Sequence, residues 1–251
     1  MAQPGEVAKY YNDWNERYRS VYGEVIQAYR SSNTTELLES ILKSLSLKDG
    51  MRLIDAGCGF AAPSIFFASK CNVIIDAVTI SSLQANEASA IVKEKGLEKR
   101  VLVKEVDYHN LADLFKAEFY DGVFFLESLG HTNNLNKVIE GVRTVLKPNG
   151  FIYIKDFFFK ETNHPEFNRK VEAVVERVNK NYCYQVLSLI ELLKTLRLQG
   201  FTIEFIRPPD FVHDITIRKK FEDDNGIDNY GALDEFYYAE WLEIKCIKSD
   251  Y

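Results

Sequence analysis

The sequence predicts an α/β fold built on a mostly parallel sheet, and three observations carry that expectation. Short β-rich runs bounded by polar residues recur along the chain, each is followed by a segment of helical length, and no repeat, low-complexity tract or linker interrupts the series. Strands that alternate with helices pair in parallel through right-handed crossovers, which leaves a sheet covered on both faces. A single domain over residues 1–251 follows.

The elements read in order as follows. Residues 6–48 form a helical cap (1–48 with its leader) rich in aromatics. Tyr11, Trp14, Tyr18 and Tyr22 stand at i, i+3, i+7 and i+11, along one helical face, where they serve equally as core packing or as the wall of a site. The strand runs are 51–55, 72–78, 100–106, 121–126, 150–156 and 201–207; the helices between them are 61–70, 81–95, 135–146 and 187–199. Leu146-Lys-Pro-Asn-Gly150 ends the third of these helices, because Pro148 cannot continue it and Asn149 or Gly150 can take a positive φ. Residues 157–186 insert after the fifth strand, where ligands of open α/β sheets bind. The β-prone run 236–248 is the last strand, expected to join 201–207 through a hairpin.

Composition excludes several classes. With 31 Lys and Arg against 37 Asp and Glu, a net charge of −6 argues against broad phosphate-backbone binding. Lys93-Glu-Lys95 and Arg218-Lys-Lys220 read as solvated surface charge. Cys58, Cys71, Cys183 and Cys246 lie far apart, which suits reduced thiols rather than disulfides or a zinc finger. His109, His164 and His213 lack partners at ligand spacing and read as surface or structural. No stretch reaches the ~18 apolar residues of a membrane span. The first residues have no signal-peptide pattern, so the expected compartment is the cytoplasm.

The chemistry centres on Leu53-Ile-Asp-Ala-Gly-Cys-Gly59, which leaves the first strand and opens a helix, so that backbone N–H groups face a ligand. The glycines alone also suit a dinucleotide. Asp55 decides against it: a carboxylate there repels a pyrophosphate and attracts a ligand carrying an ammonium and a sulfonium, by a few kcal/mol at ~4 Å and intermediate dielectric. S-adenosylmethionine is such a ligand.

On these residues the chain resembles the class I S-adenosylmethionine-dependent methyltransferases, from about residue 7 to 150. Leu53–Gly59 is similar to their first motif, Tyr120-Asp-Gly-Val-Phe-Phe-Leu-Glu127 to their fourth-strand motif, and Leu146–Gly150 to their post-helix turn. The resemblance implies a Rossmann-like seven-stranded sheet with an antiparallel last strand. It also places Asp55, Ala56, Gly57 and Gly59 against the methionine part of the cofactor. Thr79-Ile-Ser-Ser-Leu-Gln84 resembles the ribose loop shared by tocopherol, cyclopropane-fatty-acid and geranyl diphosphate C-methyltransferases, a narrower resemblance that points to the geranyl diphosphate, tocopherol and sterol C-methyltransferase group. It implies Thr79, Ile80 and Gln84 on the ribose, ahead of Asp76, although Ser81 or Ser82 can equally cap the next helix. Asp107 and Tyr108 correspond to the adenine site.

Glu127 aligns with the glutamate that this group carries after the fourth strand, the proposed base in the prenyl diphosphate enzymes, and His131 lies beside it; both are candidate catalytic residues. Leu129-Gly-His131 departs from the geranyl pattern. An alkene acceptor yields a carbocation that needs aromatic faces and then a base. Tyr18, Tyr22, Phe157, Phe158 and Tyr182 are the pocket walls. The resemblance therefore implies C-methylation of an isoprenoid alkene such as isopentenyl or geranyl diphosphate. The alternative is N- or O-methylation of a natural product or other polar small molecule, with His131 or Glu127 taking the proton. A diphosphate would call on Mg²⁺ and on cations among Lys160, Arg169, Arg207 and Arg218; the metal ligands are not identified. The partner is a small molecule, nucleic acid is disfavoured, and the aromatic cap leaves room for a homo-oligomer.

Overall fold

β1 (Arg52–Ala56), β2 (Ile74–Thr79), β3 (Val101–Glu105), β4 (Tyr120–Leu126), β5 (Leu146–Phe159), β6 (Leu187–Ser188), β7 (Phe201–Arg207) and β8 (Ala239–Lys248) form one sheet in the computed structural model. It describes residues 2–230 and 238–250. The order is β3-β2-β1-β4-β5-β8-β7, with β6 beside the end of β5. β3 to β5 pair in parallel, and β8 runs antiparallel to both β5 and β7. The expected Rossmann-like arrangement is the one found. Its two-residue β6 falls where the sequence reading began a helix; that helix, α8 (Leu189–Leu198), starts later because Ser188 caps it by accepting from Glu191 N.

Alternation along the strands builds a core on each face. Ile54, Val123, Phe125, Ile152 and Ile154 pack with Val138, Ile139 and Val142 of α6 (Leu135–Val145) and with Leu192 and Leu196 of α8. Leu53, Ile75, Phe124 and Tyr153 pack on the other face with α2 (Thr34–Leu45), α3 (Ala62–Lys70) and α4 (Ser82–Glu94). Burial on both faces is why the central strands read as near-continuous apolar runs.

The helical cap is built from two helices: α1 (Pro4–Tyr22) stops at Gly23, whose φ is 68°, and α2 starts anew with Asn33 accepting from Thr35 N and Glu36 N. Two expectations are corrected. β7 and β8 pair as expected but not through a hairpin, since α9 (Thr216–Asn225) lies between them; Phe236 and Tyr237 lie outside the described residues. The insertion begins later than residue 157, because β5 continues to Phe159 before α7 (Pro165–Tyr182). At the turn before β5's apolar run, Asn149 takes the positive φ, 63°.

Candidate active site

β1 lies between β2 and β4, so the chain winds to opposite sides from it, and a crevice opens beyond the carboxyl ends of β1 and β4. Two cavities meet there. One, of about 840 Å³, is walled by Asp55, Gly57, Gly59, Thr79, Ile80, Gln84, Asp107 and Tyr108. The second, of about 650 Å³, lies between α1, α7, α9 and the ends of β5 and β8, walled by Tyr18, Tyr22, Phe157, Tyr182, Tyr184 and Trp241. Tyr11, Ile26, Glu127 and His131 line both cavities.

The first cavity has the polarity of S-adenosylmethionine. Asp55 accepts from Ser64 Oγ at 2.6 Å, and burial pushes its carboxyl up to about 7, a state that an ammonium partner would reverse. Gly57 has φ 90°, and a Cβ there would fall 2.5 Å from Ser128 Cβ, so only glycine lets the backbone approach this closely. Thr79 Oγ1 donates to Gln84 Oε1 at 3.1 Å, which leaves Gln84 Nε2 with no partner among the described residues and fits it to a ribose oxygen. Of the two capping candidates it is Ser81 that caps α4, accepting from Gln84 N. Burial of Asp107 works to raise its pKa, but hydrogen bonds from His109 N and Nδ1 outweigh it and hold the carboxylate below its ordinary range. Tyr108 donates to the Ser128 carbonyl at 2.9 Å. Ala56 is a correction: it is fully buried in β1 and reaches the site only through its carbonyl, which accepts from Ser128 Oγ. Asp76 is engaged elsewhere, by Tyr120 and Lys104.

At the shared wall, Glu127 has a left-handed backbone, φ 55°. Its carboxylate accepts from Ala28 N at 2.6 Å and Tyr29 N at 3.3 Å, and pairs with the Lys155 ammonium. Lys155, fully buried in β5, also donates to Gln27 Oε1 at 2.8 Å and the Tyr29 carbonyl at 2.7 Å. Glu127 thus ties the segment between α1 and α2 to the sheet, and its oxygens are committed to those donors.

His131 is differently placed. Its Nδ1 lies 2.9 Å from the Cys183 carbonyl, which only accepts, so Nδ1 carries the proton and Nε2 accepts from Tyr11 Oη at 2.7 Å. Burial lowers its pKa to about 4. A neutral imidazole, its Nε2 lone pair engaged by Tyr11, therefore stands at the junction of the two cavities.

In the second cavity the charges are paired internally. Arg218 donates to both oxygens of Glu222, at 3.0 and 2.9 Å, and Glu222 also accepts from Tyr182 Oη at 2.9 Å. Arg218 is therefore buried, contrary to its reading as surface charge, because its i+4 partner shares the inward face of α9. Arg207 pairs with Glu243, outside this cavity. Phe158 is a correction too: strand alternation turns it from Phe157's side into the core beside Leu187 and Leu192. His109 and His213 are structural, bonded to Asp107 and stacked on Tyr29 respectively. Gln27, Lys155, Tyr184 and Trp241 escaped the sequence reading, and Tyr11 entered it only as a member of the aromatic face of α1. Only Lys155 left a signal, a lysine inside the apolar run Phe151-Ile-Tyr-Ile-Lys-Asp-Phe157.

Residues 13–191 match the family model described as mycolic acid cyclopropane synthetase. The chain belongs to this family. It is a class I S-adenosylmethionine-dependent methyltransferase. It is 28% identical over 211 residues to 27-O-demethylrifamycin SV methyltransferase of Amycolatopsis mediterranei (strain S699), covering 80% of this chain and 75% of that protein. It is 29% identical over 150 residues to botryococcene C-methyltransferase of Botryococcus braunii, covering 58% of this chain and 39% of the relative. The chain spans 59% of another relative, methyltransferase GfsG of Streptomyces halstedii. Among solved structures, the fold is similar to the [4+2]-cyclase SpnF, with a TM-score of 0.77 at 18% identity over 99% of this chain and 97% of that one. It is also similar to geranyl diphosphate C-methyltransferase from Streptomyces coelicolor A3(2), with a TM-score of 0.72 at 14% identity over 98% and 97%. No described helix of this family member is long and apolar enough to cross a membrane.

Proposed function

We propose that this methyltransferase O-methylates an uncharged small molecule with an extended apolar body, with His131 as the proton acceptor. The observation that carries the reading is the neutral His131, whose Nε2 faces Tyr11 where the two cavities meet. S-adenosylmethionine, when bound, supplies a methyl group activated by its sulfonium. The acceptor hydroxyl displaces the Tyr11 phenol from Nε2 and gives up its proton there as its oxygen takes the methyl group. Tyr11 stays protonated, since burial raises its pKa well above the ordinary value, and holds the acceptor oxygen in line. The rifamycin relative is named as an O-methylating enzyme by its substrate.

This reverses the order in which the sequence ranked the two reactions. Glu127, the expected base, is spent on Lys155 and two backbone N–H groups. Among the described residues a diphosphate finds Arg218 alone as a guanidinium in the acceptor cavity, and Arg218 is committed to Glu222. C-methylation of an isoprenoid alkene is the second reading, supported by the aromatic faces of Tyr18, Tyr22, Phe157 and Tyr182 and by the botryococcene relative; Mg²⁺ belongs to that reading alone. Mass spectrometry with phenols, polyketide alcohols, amines and prenyl diphosphates tests both, with product connectivity assigned by NMR. A methyl ether formed by wild type and lost in His131→Ala supports the first. A new C–C bond whose formation survives His131→Ala overturns it.

A further inference from the structure

Gln27 lies in the irregular segment between α1 and α2, is 2% exposed, and forms part of the wall of the cofactor cavity. Its amide orientation is settled by its neighbour: the Lys155 ammonium, 2.8 Å from Oε1, has only donors, so the oxygen must face it and the nitrogen must face elsewhere. That nitrogen, Nε2, has no hydrogen-bond partner among the described residues. A buried donor left unmade is destabilising, and the penalty is removed if a ligand supplies the acceptor. Lys155 also polarises the amide from its oxygen side, which strengthens the N–H donors opposite.

The same cavity holds Asp55, a carboxyl suited to a ligand ammonium. The carboxylate that accompanies an amino-acid ammonium calls for a hydrogen-bond donor of its own. We propose that Gln27, held in orientation by Lys155, is a cofactor-binding residue whose Nε2 donates to the carboxylate at the methionine end of S-adenosylmethionine. The inference rests on the cofactor reading above. It gives the buried lysine two tasks, anchoring Glu127 and aiming Gln27, and it places one of them on the cofactor side of the shared wall.

Isothermal titration with S-adenosylhomocysteine and with 5′-methylthioadenosine, which keeps the nucleoside and lacks the amino-acid end, tests this without turnover. Gln27→Leu removes the donor. Gln27→Glu keeps an acceptor for Lys155 and sets a carboxylate against the ligand's own, which keeps the test open if the leucine variant folds poorly. Affinity for S-adenosylhomocysteine is expected to fall roughly tenfold to a hundredfold in both variants, as for a lost hydrogen bond to a charged group, with 5′-methylthioadenosine affinity unchanged. Equal weakening of both ligands would mean that Gln27 only shapes the wall. Unchanged affinity for both, with a raised KM for the acceptor, would move Gln27 to the acceptor side. Either result overturns the proposal. Wild type that bound neither ligand would instead defeat the cofactor reading itself, before any substitution was made.

Discussion

Lys155→Met isolates what the buried ion pair does. Methionine matches the lysine stem in length and apolar character, so packing is largely kept, while the Glu127 carboxylate loses its counter-charge and keeps only the Ala28 and Tyr29 N–H groups. Breaking one side of a buried pair costs about 3–5 kcal/mol. The Gln27 side chain and the Tyr29 carbonyl each lose a donor as well. At ~2–4 °C per kcal/mol for a chain of this size, Tm should fall by roughly 6–20 °C. Adding Glu127→Gln removes the orphaned charge, so the double variant should recover part of the loss, with a coupling of about 2 kcal/mol or more in a double-mutant cycle. Urea denaturation followed by circular dichroism measures each corner. A single variant that loses less than about 1 kcal/mol would show the pair behaving like an exposed one, and strict additivity would show that the two residues act independently. Either would refute the anchoring argument.

Other substitutions read the chemistry. His131→Ala should lower kcat by roughly a hundredfold to ten-thousandfold, and with the cofactor saturating, so that Asp55 is already ionised, the acid limb of kcat/KM for the acceptor in wild type should lie near pH 4, because burial lowers the imidazole and keeps its base form available above that value; a limb at 6.5, the ordinary histidine value, would contradict a desolvated base. Asp55 is held protonated up to about pH 7 in the free protein and must ionise to receive an ammonium, so S-adenosylhomocysteine affinity by calorimetry should rise as pH increases toward 7 and level off above it, and Asp55→Asn should flatten the curve. Gly57→Ala, with φ 90° and a Cβ 2.5 Å from that of Ser128, should cost about 1–3 kcal/mol and abolish the thermal shift that S-adenosylhomocysteine gives wild type.

The scaffold was legible because its signals are local. Val, Ile and Phe runs bounded by turn residues mark β1 to β5, and Asp55-Ala-Gly-Cys-Gly59 combines a carboxylate with a backbone turn whose chemistry is readable without coordinates. What failed depends on contacts distant in sequence. Glu127 looked like a base because the segment that supplies its hydrogen bonds lies about a hundred positions earlier. Arg218 looked exposed because α9 as a whole is polar, whereas it shares the helix's buried face with its partner Glu222 and with Phe221, which packs on Tyr18 and Tyr22 of α1. Phe157 and Phe158 were grouped together, although period-2 alternation separates them once β5 is known to continue through both.

The proposed base is held from outside the sheet. His131 is oriented by Tyr11 of α1 and by the carbonyl of Cys183, which ends α7 in a left-handed conformation, φ 50°. Tyr184 closes the arrangement: its ring lies 4.6 Å from the His131 ring, its hydroxyl donates to Asp156 at 2.5 Å, and it presses so closely on Gly130 that a Cβ there would fall 2.1 Å from its Cε1 and Cζ. Gly130→Ala should therefore displace Tyr184 and, with it, the carbonyl that fixes the histidine tautomer, without touching a cofactor group. A 1 Å misplacement of a catalytic group costs on the order of 100-fold, so kcat should drop steeply while calorimetric affinity for S-adenosylhomocysteine stays within about twofold, well under the 1.4 kcal/mol of a tenfold change. Full turnover in this variant would mean that the Cys183 carbonyl does not orient the base, and the proton acceptor would have to be sought elsewhere on the shared wall.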